Sequence, residues 1–320
     1  MRIIFGACVL GGLTALVSGC SVASDDTGEE PGSVEQAIVN GDEVECDRTL
    51  AAVGAVVFSF SDPAYPDYEF EEFFCSATLI APKVALTARH CVTTWYFDPD
   101  PAFSNYVVFG QDAYDPERKA KVVSTLAAPA GPAGLLNDGG RDMAVLYLEE
   151  APKGIKPAQL GKFKSSMLGK KFRIAGFGQT EEFTVGTKYE GKVTARALSG
   201  DWYRLLFKNK YSKFDEWYWT DASLATPSAE EEAAWWAPGT FALEPGYELL
   251  AGGLPGEAVS CWGDSGGPIL QGTTAKDLTT YGVSFAGEGS IATNCALGGG
   301  YAVLNDEMLA WVKNAVAAAP

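Results

Sequence analysis

Cys261-Trp262-Gly263-Asp264-Ser265-Gly266-Gly267-Pro268 sets one serine among glycines, and its reading governs the rest of the 320 residues. Glycine lets a backbone turn tightly and approach a bound group closely. A serine hydroxyl is a weak nucleophile until a neighbouring base takes its proton. Outward from this stretch the chain offers a single imidazole, His90, in Leu86-Thr87-Ala88-Arg89-His90-Cys91. A neutral imidazole accepts a proton near neutral pH more readily than a carboxylate or lysine does. Gly263–Gly267 also satisfies G-x-S-x-G, the nucleophile elbow of the α/β-hydrolases, but that fold places its histidine after the serine. No histidine follows Ser265, so the order here is histidine first and serine last.

A carboxylate that orients the imidazole can lie before His90 or between the two residues. Between them, Arg141-Asp142-Met143-Ala144-Val145-Leu146-Tyr147-Leu148 puts Asp142 at the mouth of an alternating apolar strand. A carboxylate buried there needs a donor, and an imidazole N–H serves. Asp138 competes, but Asn137-Asp138-Gly139-Gly140 reads as a solvated turn.

Short β-like runs bounded by turn residues recur: 51–60, 74–80, 84–88, 106–109, 144–148, 172–176 and 281–285. Helical periodicity is scarce until the end, where Asn305 can cap a stripe of Met308, Leu309, Trp311, Val312, Ala315 and Val316. Many short strands with Gly- and Pro-rich turns imply an all-β class of barrels or a sandwich. Residues from about 200 to 240 stand apart, holding five of the eight tryptophans and the run Glu230-Glu231-Glu232. Exposed rings there could stack on a ligand, including carbohydrate, whereas packed rings would fasten a long excursion to the barrel. The packed arrangement is the expectation.

The start of the chain reads as a leader. Arg2 precedes an apolar run over 3–17 that is too short to span a bilayer as a helix. Val17-Ser18-Gly19-Cys20 resembles a bacterial lipobox, which makes Cys20 a lipidation site and residues 1–20 a signal peptide. Residues 21–37 are polar and acidic, a disordered tether or propeptide. The formal charge of −17 argues against nucleic-acid binding. Beyond the leader five cysteines remain, Cys46, Cys75, Cys91, Cys261 and Cys295, which in an exported protein favours disulfides with one thiol left over. One histidine and no CxxC pair argue against zinc, and no cofactor or metal is expected.

Ala88-Arg89-His90-Cys91, Arg141-Asp142-Met143-Ala144-Val145-Leu146 and Cys261–Pro268 together resemble the three catalytic motifs of the chymotrypsin/trypsin-like serine proteases, in that family's order. Ile38-Val39-Asn40-Gly41 resembles the family's mature N-terminus, and Ala175-Gly176-Phe177-Gly178 the start of its second barrel. The resemblance covers about residues 38–320 and implies two packed antiparallel six-stranded β-barrels, one over about 38–155 and one over about 156–304, then a helix over about 306–318. It implies Ser265 as nucleophile, His90 as general base and acid, Asp142 as its orienter, and the N–H groups of Gly263 and Ser265 as the oxyanion site. It implies the disulfides Cys75–Cys91 and Cys261–Cys295, leaving Cys46 as a buried free thiol or an intermolecular partner, the former preferred.

The resemblance also implies a specificity pocket whose floor lies six residues before the nucleophile, at Val259, with Ser284-Phe285-Ala286 as one wall and Gly299 facing it. An uncharged floor leaves Arg or Lys unpaired at a cost of several kcal/mol. Serine endopeptidase cleavage after small or medium apolar residues is therefore expected, with Ala286 narrowing the entrance. The resemblance further implies that Asp264 pairs with the α-amino group of Ile38 after a cut following Gln36-Ala37, which is no trypsin site. That cut would free a monomeric catalytic domain from a membrane-anchored zymogen at the outer membrane or cell surface. Its partners would be protein or peptide substrates. The alternative is a non-catalytic, protease-shaped binding protein. Arg89 departs from the alanine usual before the histidine, and would either alter the pocket behind His90 or reach solvent.

Overall fold

The computed structural model describes residues 38–44, 48–61, 69–93, 97, 103–131, 140–180, 183–220, 228–288, 295 and 297–320. The expected leader, the lipidation site Cys20, the tether, Cys46 and Asp138 lie outside the described residues.

Strand β1 (Asp42–Glu43) comes first, and β2 (Val53–Ser61), β3 (Glu69–Ala81), β4 (Val84–Thr87), helix α1 (Arg89–Val92), β5 (Phe103–Phe109), β6 (Arg118–Ala127) and β7 (Ala144–Leu148) follow. Strands β2 to β7 close a six-stranded barrel in the order β2-β3-β4-β7-β6-β5. β-branched and aromatic residues fill its strands, the types that suit a pleated, packed surface. Strand β7 keeps the expected period of two, but both of its faces are buried. Ala144, Leu146 and Leu148 point into the barrel with Val53, Leu79 and Phe109. Val145 and Tyr147 point outward into a second cluster between the barrels.

The second barrel is built from β8 (Gln159–Leu160), β9 (Lys171–Gly176), β10 (Tyr189–Ala197), β11 (Gly200–Asp201), helices α2 (Trp202–Leu206), α3 (Tyr211–Thr220) and α4 (Ala229–Trp236), and strands β12 (Ala242–Leu243), β13 (Glu248–Ala251), β14 (Pro268–Gln271), β15 (Thr279–Glu288) and β16 (Gly298–Val303). Its six closing strands run β9-β10-β13-β16-β15-β14, and β14 pairs back onto β9. Phe172, Ile174, Val193, Leu249, Ile269 and Tyr301 fill it. The architecture is therefore two closed six-stranded antiparallel barrels. One boundary shifts from expectation: β1 pairs with β10, and Ile38 packs inside the second barrel, so the first residues of the domain belong to the second barrel rather than the first.

Helix α5 (Asp306–Ala317) seals the outer side of the seam. Asn305 caps it, its side chain accepting from the Met308 N–H at 2.9 Å, and Asp306 and Glu307 in the first turn suit the positive end of the helix dipole. Met308, Val312 and Ala315 bury against Leu86, Val145 and Val283, each large side chain contributing about 1.5–3 kcal/mol.

The excursion over 200–243 corrects the expectation that helices are scarce before the terminus. Its ends pair as β11 and β12, and three helices stand between them. Phe214, Trp217 and Tyr218 form an i, i+3, i+4 stripe on α3 and pack with Trp202, Tyr203 and Leu206 of α2. Tyr203 stacks on Trp235 at 5.2 Å and Phe214 on Trp236 at 5.0 Å. Trp202, Trp217, Trp235 and Trp236 are packed, as expected, whereas Trp219 is 48% exposed. Arg196 fastens the unit to the barrel, donating to the carbonyls of Leu205 (3.1 Å), Gly252 (2.9 Å) and Leu297 (3.3 Å). The acidic run serves α4 itself: Ser228 caps the helix by accepting from Glu231 N–H, and buried Glu232 accepts from Tyr211 Oη and Trp219 Nε1.

Candidate active site

His90 sits where β4 ends and the chain turns through extended Ala88 into the single turn of α1. The next residue, Cys91, is bonded to Cys75 of β3, which fixes that turn to the neighbouring strand. Asp142 stands just before β7, 2% exposed. Its Oδ1 accepts the His90 backbone N–H at 2.8 Å and its Oδ2 lies 2.6 Å from His90 Nδ1. Two donors on a buried carboxylate satisfy the demand that burial makes. A proton on Nδ1 shared with Asp142 makes Nε2 the basic nitrogen of the ring. The imidazole side chain is 34% exposed.

The segment before Asp142 is clamped from the second barrel. Gly140 has φ +66°, and a Cβ there would lie 2.3 Å from Cβ of Tyr247. Arg141 stacks over the Tyr247 ring at 4.5 Å and pairs with Glu307 of α5 at 2.9 Å. That hydrogen bond raises the guanidinium pKa, and Arg141 in turn holds the Glu307 carboxyl below its usual range. Arg89 takes a course other than the two expected. Its Nε donates to the Ala128 carbonyl at 3.1 Å, and Ala128 N–H donates to the Met143 carbonyl at 2.9 Å. The cation thus braces the strand that flanks Asp142.

The nucleophile loop is held by backbone bonds on both sides. Ser76 N–H of β3 donates to the Ser265 carbonyl at 2.7 Å, while Gly266 N–H and Ser284 N–H exchange bonds with Ser284 and Gly267 carbonyls at 2.7 Å each. Gly266, at φ +83°, passes so close to the first barrel that a Cβ would lie 2.1 Å from Thr87 Oγ1 and 2.9 Å from Ala88 N. Ala88 precedes Arg89 and His90, and the Cys91 sulfur lies 3.7 Å from the Ser265 carbonyl oxygen. The histidine and serine motifs, 175 residues apart in the sequence, therefore meet across the seam between the barrels.

Gln179 N–H fixes the Trp262 carbonyl at 2.7 Å, and Gly267 N–H fixes the Asp264 carbonyl at 2.8 Å. Because a trans peptide points its N–H opposite its C=O, the N–H groups of Gly263 and Ser265 are turned away from those anchors. Neither donates to a protein acceptor among the described residues. Gly263 has φ +93°, a conformation that favours glycine.

Of the expected pocket residues, Val259 is fully buried and packs with Val39 and the Cys261–Cys295 disulfide. Ser284 Oγ donates to Ser260 Oγ at 3.0 Å, and Tyr301 Oη donates to the same oxygen at 3.3 Å. Gly299 faces this group: a Cβ there would stand 2.7 Å from Ser260 Oγ and 3.0 Å from Tyr301 Oη. Ala286 lies next to this group. Its methyl packs against the cluster between the barrels, and its carbonyl lies 3.4 Å from the Ser260 hydroxyl. Ser76, Thr87, Ser260 and Tyr301 were not singled out from the sequence. The first two carry a readable signal, a hydroxyl residue at a core position of an apolar strand, both at 0% exposure.

Asp264 is 1% exposed, and among the described residues its carboxylate accepts from Cys261 N–H at 2.8 Å and Gly178 N–H at 2.9 Å. Burial lifts its pKa to about 7, and the two N–H bonds offset only part of that rise. Ile38 and Val39 lie on the same side of the barrel, Val39 bridging to Val259 through the Val259 N–H at 3.0 Å.

Residues 56–201 match the family model named Trypsin. Among solved structures the chain is similar to neuropsin, a serine protease expressed in the limbic system of mouse brain (TM-score 0.54, 18% identity, 87% of this chain and 100% of that one). It is also similar to a structure of GrC (TM-score 0.52, 17% identity, 87% and 99%). At these identities the two structures speak to the fold. The family match spans His90 and Asp142 and ends before Ser265. The chain therefore matches the trypsin family over residues 56–201 and shares the fold of the chymotrypsin-like serine proteases.

Proposed function

We propose that the protein hydrolyses peptide bonds through an acyl-enzyme on Ser265, cutting after small or medium apolar residues. The observation that carries this reading is the 2.6 Å contact of His90 Nδ1 with buried Asp142, beside a serine whose loop leaves two N–H groups unspent. Ser265 Oγ attacks the scissile carbonyl while His90 Nε2 takes its proton, and Asp142 stabilises the imidazolium that forms. The negative charge on the former carbonyl oxygen falls to the N–H groups of Gly263 and Ser265, each worth roughly 10²–10³ in rate. The C–N bond then breaks, the amine leaving with the proton held on His90. Water repeats the sequence in reverse, its proton going to His90 and its oxygen to the acyl carbon, which frees Ser265.

Specificity follows from the floor. Val259 offers no charge, and the polar groups beside it are the neutral hydroxyls of Ser260 and Tyr301. A panel of peptide amides differing in the residue before the scissile bond is expected to show the highest kcat/KM with Ala, Val or Leu; fastest cleavage after Arg or Lys contradicts the assignment. Gly299→Val would crowd Ser260 and Tyr301, a Cβ there standing 2.7 Å from the Ser260 hydroxyl, and displace that wall of the expected pocket. The Leu-to-Ala preference should then fall about 10–100-fold, in line with what one or two methylenes are worth in a pocket.

We further infer export as a lipid-anchored zymogen, released by a cut before Ile38. Ile38 is a β-branched residue at φ +58°, a conformation such residues rarely hold and one that costs about 1–3 kcal/mol. That torsion includes the carbonyl carbon of Ala37, so cleavage of the 37–38 bond abolishes it. The new ammonium would be a counter-ion for buried Asp264, which among the described residues has only two backbone N–H partners. Sequencing the N-terminus of the active form tests this: Ile38 supports release, and full activity in the uncut, lipid-bearing chain contradicts it.

A further inference from the structure

We propose that Ser76 is a positioning residue for the oxyanion site, its hydroxyl holding the Gly263 carbonyl and so bracing the peptide that follows the Gly263 N–H. The role rests on the protease reading above. Ser76 lies on β3 at 0% exposure, immediately after the disulfide cysteine Cys75. Its Oγ donates to the Gly263 carbonyl at 3.1 Å and accepts from the Phe177 N–H at 3.2 Å. Its backbone N–H donates to the Ser265 carbonyl, and its carbonyl accepts from Thr87 Oγ1 at 2.8 Å. One residue of the first barrel therefore touches the nucleophile loop at two carbonyls, the second barrel at Phe177, and the strand end that leads to His90.

The consequence for Gly263 is geometric. Glycine at φ +93° has wide freedom, and its N–H reaches a substrate oxygen only if the peptides on both sides keep their planes. The peptide before it is anchored by Gln179 N–H on the Trp262 carbonyl, and the peptide after it by Ser76 Oγ and by the Asp264 N–H bond to Cys261. Phe177 and Gly178, which carry the N–H groups that Ser76 Oγ and Asp264 accept, belong to the same stretch after β9. Deleting the hydroxyl leaves the peptide after Gly263 held only through the Asp264 N–H and strips a partner from the Phe177 N–H. Backbone bonds of Ser76 remain, so the strand itself keeps its place. The effect is then a looser oxyanion donor rather than a lost fold, smaller than complete removal of a donor.

The test compares Ser76→Ala and Ser76→Thr with wild type in the chain cut before Ile38. With a short apolar peptide amide, Ser76→Ala should lower kcat about tenfold with KM within twofold, and Thr, which keeps the hydroxyl, should recover most of it. Affinity for a peptide aldehyde, which places an oxyanion in the site, should fall by the same factor as kcat. A peptide ligand lacking a carbonyl at that position should bind unchanged. Hydrogen exchange at the Phe177 amide should quicken in the Ala variant and not in the Thr variant. Unchanged kcat and aldehyde affinity in Ser76→Ala overturn the proposal, as does a fall shared equally by both ligands. A wild type inert to every substrate overturns the protease reading instead, and the Phe177 amide then reports whether the bridge exists without it.

Discussion

Asp142→Asn is expected to lower kcat by about 10⁴ while leaving the protein folded and its KM little changed. The asparagine nitrogen would face His90 in place of Oδ2, which now lies 2.6 Å from Nδ1. An amide N–H cannot accept, so the imidazole would carry its proton on Nε2 and lose the lone pair that Ser265 needs. Asn Oδ1 can still take the His90 backbone N–H, and α1 keeps its seat. Steady-state kinetics on one peptide amide, with thermal melting as a control, measure this. Because His90 is the sole histidine, its imidazole signals in a proton NMR titration need no assignment, and the tautomer change is read directly. A loss below tenfold would mean that the pair does not drive the chemistry.

The second large effect concerns Asp264. Burial raises its pKa to about 7 against an ordinary 3.8, so between those values the folded chain holds a proton that the unfolded chain has released. Stability of the uncut chain therefore falls as pH rises from about 4 to 7, by at most about 4 kcal/mol. An ammonium delivered by a cut before Ile38 reverses this by pairing with the carboxylate, which then stays ionised. The expected result, in a Ser265→Ala background that prevents self-cleavage, is a melting temperature that declines over pH 4–7 before the cut and much less after it. Asp264→Asn should abolish the decline in the uncut chain. With Ser265 retained, the same substitution should lower activity after the cut by about 10²–10³, the scale of a misplaced oxyanion donor. A flat profile in the uncut wild-type chain would separate Asp264 from activation.

Much of this was legible because the strands obey simple periods. The run at 144–148 was placed to the residue, and the cap at Asn305 with its stripe of Met308, Val312 and Ala315 is the helix observed. The pairing of Cys75 with Cys91 and of Cys261 with Cys295 came only through the family resemblance, since spacing alone permits other connections. Helices α2 to α4 escaped for a physical reason. They are 5, 10 and 8 residues long, and aromatic residues of modest helix propensity carry their buried faces. Their stability comes from ring packing with one another and from Arg196, which no local window contains.

The placement of β1 shows the same limit. Two residues carry no period, and their pairing with β10 follows from the docking of Ile38 and Val39 on the second barrel. Arg89 was ambiguous because its acceptor, the Ala128 carbonyl, belongs to the backbone and leaves no mark in residue types. Ser76 and Thr87 did leave one, as hydroxyls in apolar strands. What sequence could not supply was the identity of the carbonyls they reach.

The most direct measurement is labelling with a fluorophosphonate, which reacts with a serine only when a base activates it and an oxyanion site accepts the phosphoryl oxygen. The protein cut before Ile38 should take up one label per chain, mapped by peptide mass spectrometry to Ser265, and the His90→Ala variant should take up none. No label on Ser265 in a folded chain whose N-terminus is Ile38, or equal labelling without His90, would contradict nucleophilic catalysis at this site.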